Sequence, residues 1–282
     1  MPRLTLDDLK QAHDFENSRA LVSNAIRLMC SGDPEDLASF IYRYTSWNGF
    51  FGSGVASLAG KVGSSQNLFI DAGFNVTPLA DRSVLVASYF FDAARDEFDD
   101  RDTEHRDTHR CLAQAVVLGV FAHYNLKPSV VYRLTQQPLW LQGLIDRVQI
   151  GYGATTPNDR PTVFRAIGYH LGSEVLADQE FTLIDGFLRE NRPELVRYLQ
   201  ENSVTIAGQK HNSYQWLSIH SDYGEESGGV EAEHFEAAMK GARLALKYSP
   251  HEMRDDLRHQ MILGFLDFAA DHREFFTNVT TL

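Results

Sequence analysis

Arg82-Ser-Val-Leu-Val-Ala-Ser-Tyr-Phe-Phe-Asp-Ala-Ala-Arg-Asp-Glu-Phe98 carries apolar residues over most of a helical circumference, with Val84, Leu85, Ala87, Tyr89, Phe90, Ala93 and Ala94 leaving little polar face. A helix apolar nearly all round belongs in a core rather than on a surface. The segment therefore predicts a protein whose interior is built from helices. Working outward, Leu4–Met29 shows helical spacing in Leu6, Leu9, Phe15, Leu21, Ala25 and Leu28. Ser31-Gly-Asp-Pro-Glu is a stop followed by a start, with Asp33 as N-cap and Pro34 at the first helical position. From Glu35 a long apolar helix is expected to run past Tyr42 and Trp47 to about Lys61, its Gly49, Gly52, Gly54 and Gly60 marking close backbone packing.

Asn67–Pro78 has turn chemistry, and Asp99–Asp107 is a charge run that leads into an apolar helix over Thr108–His123. Gly151–Pro161 is the clearest loop, but the patterns on its two sides look alike, so one domain is expected over 1–282, with residues 1–30 as a possible added arm. Further helices are expected at Thr162–Leu176, Glu180–Glu190, Pro193–Glu201, Tyr214–His220, Val230–Tyr248 and Pro250–Phe276. No strand pattern with turn spacing stands out. The fold class is all-α, a single-domain bundle.

Composition narrows the function. The 282 residues hold 26 Lys+Arg against 38 Asp+Glu, a net charge of −12, and no basic patch offsets it, which argues against nucleic acid or an anionic membrane as partner. No apolar stretch is long enough for a membrane span, and the first residues lack a signal-peptide core. Two cysteines, Cys30 and Cys111, make no disulfide framework, so a reducing cytoplasm is expected. What stands out is 11 histidines among many carboxylates without metal-binding cysteines.

Several of these could meet inside a bundle. Glu97 ends the apolar run quoted above, and His109 opens the next helix in Thr108-His-Arg-Cys-Leu-Ala-Gln. A carboxylate and an imidazole at facing helix ends suit a metal bound in a bundle; the plainer alternative is a solvated helix end and a polar first turn. Glu174, in Gly168-Tyr-His-Leu-Gly-Ser-Glu, shares apolar surroundings with Leu171, Val175 and Leu176, where a carboxylate must be paired or bind a cation. Small residues Gly168, Gly172 and Ser173 let a neighbouring helix approach. Glu180 opens a helix, and compensation of the N-terminal dipole explains it. Val230-Glu-Ala-Glu-His places Glu231 and His234 three apart on one face, the Glu-x-x-His arrangement of di-iron carboxylate bundles, although a solvated face would read the same way. His220 ends Trp216-Leu-Ser-Ile-His and offers another imidazole, or simply a helix-end histidine bonded to a carbonyl. Oxygen ligands plus imidazole, with no thiolate, suit iron or manganese better than structural zinc.

This ordered set resembles the haem-oxygenase-like di-metal oxidases, which include the CADD-like proteins and share their fold with the TenA-like proteins. The matches are Glu97 in Asp96-Glu-Phe, His109 in Thr-His-Arg-x-Leu-Ala, Glu174 in Gly-Ser-Glu, and His220, Glu231 and His234, over roughly Trp47 to Tyr248. The resemblance implies a seven-helix haem-oxygenase-like bundle, two irons per chain held by those six residues, O₂ as co-substrate, a small amino-acid- or fatty-acid-like substrate, an external electron donor and a homodimer. The chain departs from the family in two places. The Glu97–His109 gap is longer, leaving His105 or Asp102 as substitutes. His220 and Glu231 stand eleven apart where the family has four, so Ser221–Gly229 reads as an insertion. Either His220 still reaches the metal from the preceding helix end, or Asp222, Glu225 or Glu226 replaces it. Tyr89, Phe90, Phe98 and Tyr169 would line a pocket or simply pack the core. The competing readings are a metal-free TenA-like hydrolase, for which Cys111 is the candidate nucleophile, haem binding through His13, and a non-catalytic interaction protein.

Overall fold

The computed structural model describes residues 4–98, 107–177, 180–221 and 230–281, and their side chains apart from those of 177 and 230–233. The chain opens with α1 (Leu6–Ala12) and α2 (Phe15–Ser31) rather than one helix over Leu4–Met29. Asp14 causes the break: its carboxylate accepts the N–H of Asn17 at 3.0 Å and starts α2 afresh. The helix expected over Glu35–Lys61 is likewise two, α3 (Pro34–Asn48) and α4 (Phe51–Gly63), parted at Gly49 and Phe50. Asp33 caps α3 and Pro34 opens it, as the sequence predicts.

There follow α5 (Thr77–Ala80), α6 (Ser83–Phe98), α7 (His109–His123), α8 (Pro128–Leu134), α9 (Leu139–Gly151), α10 (Arg160–Ala177), α11 (Glu180–Asn191) and α12 (Pro193–Glu201). A hairpin of β1 (Ser203–Ile206) and β2 (Gln209–Asn212) precedes α13 (Gln215–His220), α14 (Val230–Lys247) and α15 (Arg254–Asn278). Among the described residues the molecule is all-α apart from that hairpin, which sequence reading missed. Its strands are four residues each, and its turn residues Ala207 and Gly208, both at positive φ, lack the Asn-Gly or Asp-Gly signature of such turns. His211 of β2 sits 2.8 Å from the buried Asp107, which fastens the hairpin beside the start of α7.

α10 is the centre of the bundle: it lies along α15 and also packs on α14 and α4, while α6 lies against α4 and α14. The expected close approach at Gly168 is made to α15, where any β-carbon would strike the Met261 carbonyl. Gly264 meets the Arg165 carbonyl in return. Around this crossing sit Trp47 and Phe275, stacked at 4.4 Å, with Phe265 and Phe268 fully buried. Residues Leu4, Leu9, Ile26 and Met29 from the first thirty positions belong to the same hydrophobic cluster.

α6 itself needs a correction. It buries Val86, Ala87, Phe90, Ala93 and Ala94, but Val84 and Phe91 are 74% and 60% exposed, and Leu85 and Phe98 are exposed too. Among the described residues its neighbours cover one side, so its apolar composition marks a half-covered helix rather than one buried all round. Among the described residues no helix is long and apolar enough to cross a membrane.

Candidate functional site

Thr108 fixes where α7 begins: its Oγ1 accepts the N–H of Cys111 at 3.1 Å, which makes His109 the first helical residue. There His109 faces the last turn of α6, with Nδ1 3.2 Å from Glu97 Oε2. α4 lets Glu97 in. A β-carbon on Gly52 would lie 2.8 Å from the Glu97 Cβ and 3.0 Å from its Oε2, so a larger residue would push the carboxylate aside. Burial pushes the Glu97 carboxyl up, but His109, His220 and His234 outweigh it and hold the group below its ordinary range.

On α10, Glu174 reaches two imidazoles: Oε1 lies 3.2 Å from His170 Nδ1, and Oε2 lies 3.8 Å from His234 Nδ1. The expectation that a carboxylate in these surroundings is paired is met by these two histidines. His234, on α14, places Nε2 3.0 Å from Asp96 Oδ2, so α6, α10 and α14 meet here through side chains. His170 and Asp96 were not picked out from the sequence, though both signals were present. His170 stands one helical turn before Glu174, and Asp96 directly precedes Glu97. His170 is fully buried, and its Nε2 has no hydrogen-bond partner among the described residues. Burial, with His234 adding to it, pushes its pKa down to about 3, so it is neutral.

His220 closes α13 with its ring stacked on Phe181 at 4.3 Å and edge-on to His109 at 4.6 Å. Its Nδ1 sits 2.8 Å from the Trp216 carbonyl oxygen. A carbonyl only accepts, so Nδ1 carries the proton and Nε2 presents a lone pair. The helix-end hydrogen bond and a ligand role are therefore compatible, since the first sets the tautomer for the second. Burial, reinforced by His109, pushes the His220 pKa down to about 3. Glu231 lies in the first turn of α14, one turn before His234, and its side chain is outside the described residues. The alternatives Asp102, His105, Asp222, Glu225 and Glu226 also lie outside them.

Glu97, Glu174, His220 and His234 line one cavity of about 30 Å³, walled by Phe51, Tyr152, Ser173 and Phe181. Glu97 also borders a larger cavity of about 220 Å³ with His109, Phe98, Arg110 and Trp216. Of the aromatic residues singled out from sequence, Phe98 lines this second space. Phe90 packs edge-on against His170 at 5.6 Å, and Tyr169 donates to Asp271 at 3.0 Å. Cys111 lines neither cavity. Among the described residues no three of the donors surround one point, each carboxylate being met by an imidazole instead. The donor types nevertheless fit iron or manganese, and the unengaged nitrogen of the buried His170 shows that the cluster is not satisfied by its own contacts.

Glu180 opens α11 as expected, where its charge offsets the helix dipole, but its carboxylate is also fully buried and paired, which the sequence does not indicate. Its Oε1 lies 2.6 Å from His272 Nε2, and its Oε2 accepts the Tyr44 hydroxyl at 2.7 Å.

No protein-family model matches the chain, and no curated protein matches it. Among solved structures it is similar to a CADD-like protein of unknown function from Nostoc punctiforme PCC 73102. That match has 13% identity and a TM-score of 0.48, and covers 95% of this chain and 97% of the other.

Proposed function

We propose that this protein is a non-haem di-iron oxidase or oxygenase that uses O₂ on a small molecule. One observation carries the reading: four of the six donors chosen from sequence, drawn from four different helices, line a single 30 Å³ cavity, and the fifth, His109, touches one of them. That is too small for a substrate and suits metal ions. Glu97, His109, Glu174, His220 and His234 would hold the irons, with Glu231 joining from α14. When bound, the metal supplies the electrons and the activation of O₂.

The remaining work falls to the chain. Asp96 orients the His234 ring through Nε2, and the Trp216 carbonyl keeps the His220 lone pair on Nε2. Phe51, Phe181 and Tyr152 keep bulk water from the small cavity. The 220 Å³ cavity is below the usual range of small-molecule pockets, which favours an amino-acid-sized substrate over a fatty acyl chain. Arg110, on its wall, would hold the substrate carboxylate. An external donor would return the electrons for the next turnover.

The test is anaerobic loading with Fe(II), gel filtration and metal analysis. Wild type should retain about two irons per chain, as a carboxylate bundle of this type does. Glu174→Ala and His234→Ala should each retain one or none. A wild-type protein that leaves the column without iron would sink the proposal. O₂ uptake by the loaded protein over a panel of amino acids and fatty acids then tests the substrate class, and Arg110→Ala should raise KM for the former.

A further inference from the structure

We propose that Asp185, on α11, is a positioning residue that fixes His220 by tying down both ends of α13. Its bearing on iron rests on the reading above, in which His220 is a ligand. α13 supplies one wall of each cavity, Trp216 for the larger and His220 for the smaller. It has six residues, and no side chain caps its start. A helix so short does not hold itself together, so its place is set by what it packs against.

Asp185 meets α13 at both ends. Tyr214, the residue before the helix, donates its hydroxyl to Asp185 Oδ1. Ser221, the residue after it, donates its hydroxyl to Oδ2 at 2.8 Å. One carboxylate therefore closes a bracket across the six residues. Asp185 is 1% exposed and Tyr214 2%. Burial, with the Asp185 hydrogen bond and charge adding to it, pushes the Tyr214 phenol up, which keeps it the donor. Arg189, one turn further along α11, donates Nε to Oδ1 at 2.8 Å, so the buried charge is paired. Its guanidinium also lies over the Tyr214 ring at 5.4 Å.

The same helix holds the imidazole itself. Phe181 stands one turn before Asp185 and stacks on the His220 ring. The Trp216 carbonyl sets the tautomer and Phe181 sets the ring plane, but both act on a ring whose backbone Asp185 locates through Ser221. A preorganised site tolerates only about 0.5 Å of displacement, so the end of a six-residue helix needs such a tie. If Asp185 served stability alone, its loss would lower stability and leave His220 in place in every molecule that folds.

Two measurements on the full-length protein separate these roles. One is the ring-proton shifts of His220 without metal, which the face of Phe181 moves upfield. The other is Fe(II) affinity by competition with a chelator. Asp185→Ala should move the His220 signals downfield and weaken iron binding about 10–100-fold, the usual cost of losing a group that orients a ligand. Asp185→Asn should restore both. Its amide oxygen still accepts from Tyr214, and its NH₂ donates to a Ser221 hydroxyl that turns to accept. Ser221→Ala leaves the carboxylate paired with Tyr214 and Arg189, and should show the same changes at smaller size; it decides the matter if Asp185→Ala does not fold. Wild-type His220 shifts in folded Asp185→Ala or Ser221→Ala would overturn the assignment. So would an Asp185→Asn protein that folds yet does no better than Asp185→Ala, or Asp185→Ala with the iron affinity of an iron-binding wild type. A wild type that binds no iron would sink the iron reading alone, because the His220 shifts still test the bracket.

Discussion

The protein holds two carboxylate–imidazole clusters made of the same side-chain types and packed in opposite ways. Around Glu97 and Glu174 the contacts are 3.2 to 3.8 Å, the carboxylates are partly accessible, and the donors border a cavity. Around Glu180 the contacts are 2.6 and 2.7 Å, the carboxylate is fully buried, and both of its oxygens are bonded. The lesson is one of economy in packing. A carboxylate that only has to stabilise can be closed in on every side, whereas one that is to receive a ligand must keep slack around it. The second cluster should therefore dominate stability and the first should dominate metal binding.

The largest effect should come from Glu180→Ala. It leaves the Tyr44 hydroxyl and the His272 Nε2 buried without this acceptor, and urea unfolding should show a loss of about 2–4 kcal/mol. A loss below about 1 kcal/mol would erase the contrast between the clusters. Next comes pH. His170 and His220 are held to about 3 in the folded protein and return to about 6.5 when unfolded. Between those values the unfolded chain binds more protons, so stability is complete above about 6.5 and falls as pH drops towards 3. The slope should be about 1.4 kcal/mol per pH unit for each imidazole. His170→Asn should remove one proton's share of that slope; an unchanged slope would show that His170 titrates normally.

A smaller loss, about 1 kcal/mol, is expected for Thr108→Ala, which removes the cap that starts α7. The variant should also bind iron more weakly, because His109 is the next residue. Smallest in stability is Glu174→Ala in the metal-free protein, at under about 1 kcal/mol, since removing it relieves the desolvation of a carboxylate whose contacts to His170 and His234 are longer than those of Glu180. The same variant should fail to hold iron. Large destabilisation with full iron binding would invert the comparison.

The two clusters were also unequally legible in the sequence. Glu97, His109, Glu174 and His234 sit at helix ends or at helical spacing in short motifs, so order and local pattern gathered them without coordinates. Glu180 and His272 are 92 positions apart, and no local pattern links them; only the side-chain reach of His272 from α15 and of Tyr44 from α3 does so. The helices were readable wherever caps and periodicity agreed, as at Asp33-Pro34 and over Pro193–Glu201. They were misjudged where composition had to stand for orientation. The apolar residues of α6 fix how much of it wants burial, but not how many neighbours arrive to provide it, and Val84 and Phe91 stayed outside.

The glycine crossing of α10 and α15 has a mechanical meaning. With backbone against backbone at Gly168 and Gly264, the closest approach of the two helices acts as a fulcrum, and both run on from it side by side as two arms. At 1.5 Å per residue, Glu174 rides about 9 Å along one arm and His272 about 12 Å along the other. A tilt of about 5° at the fulcrum would carry Glu174 through nearly 1 Å, beyond the roughly 0.5 Å tolerance of a preorganised site. Two absent side chains thus set the alignment of everything mounted on these arms.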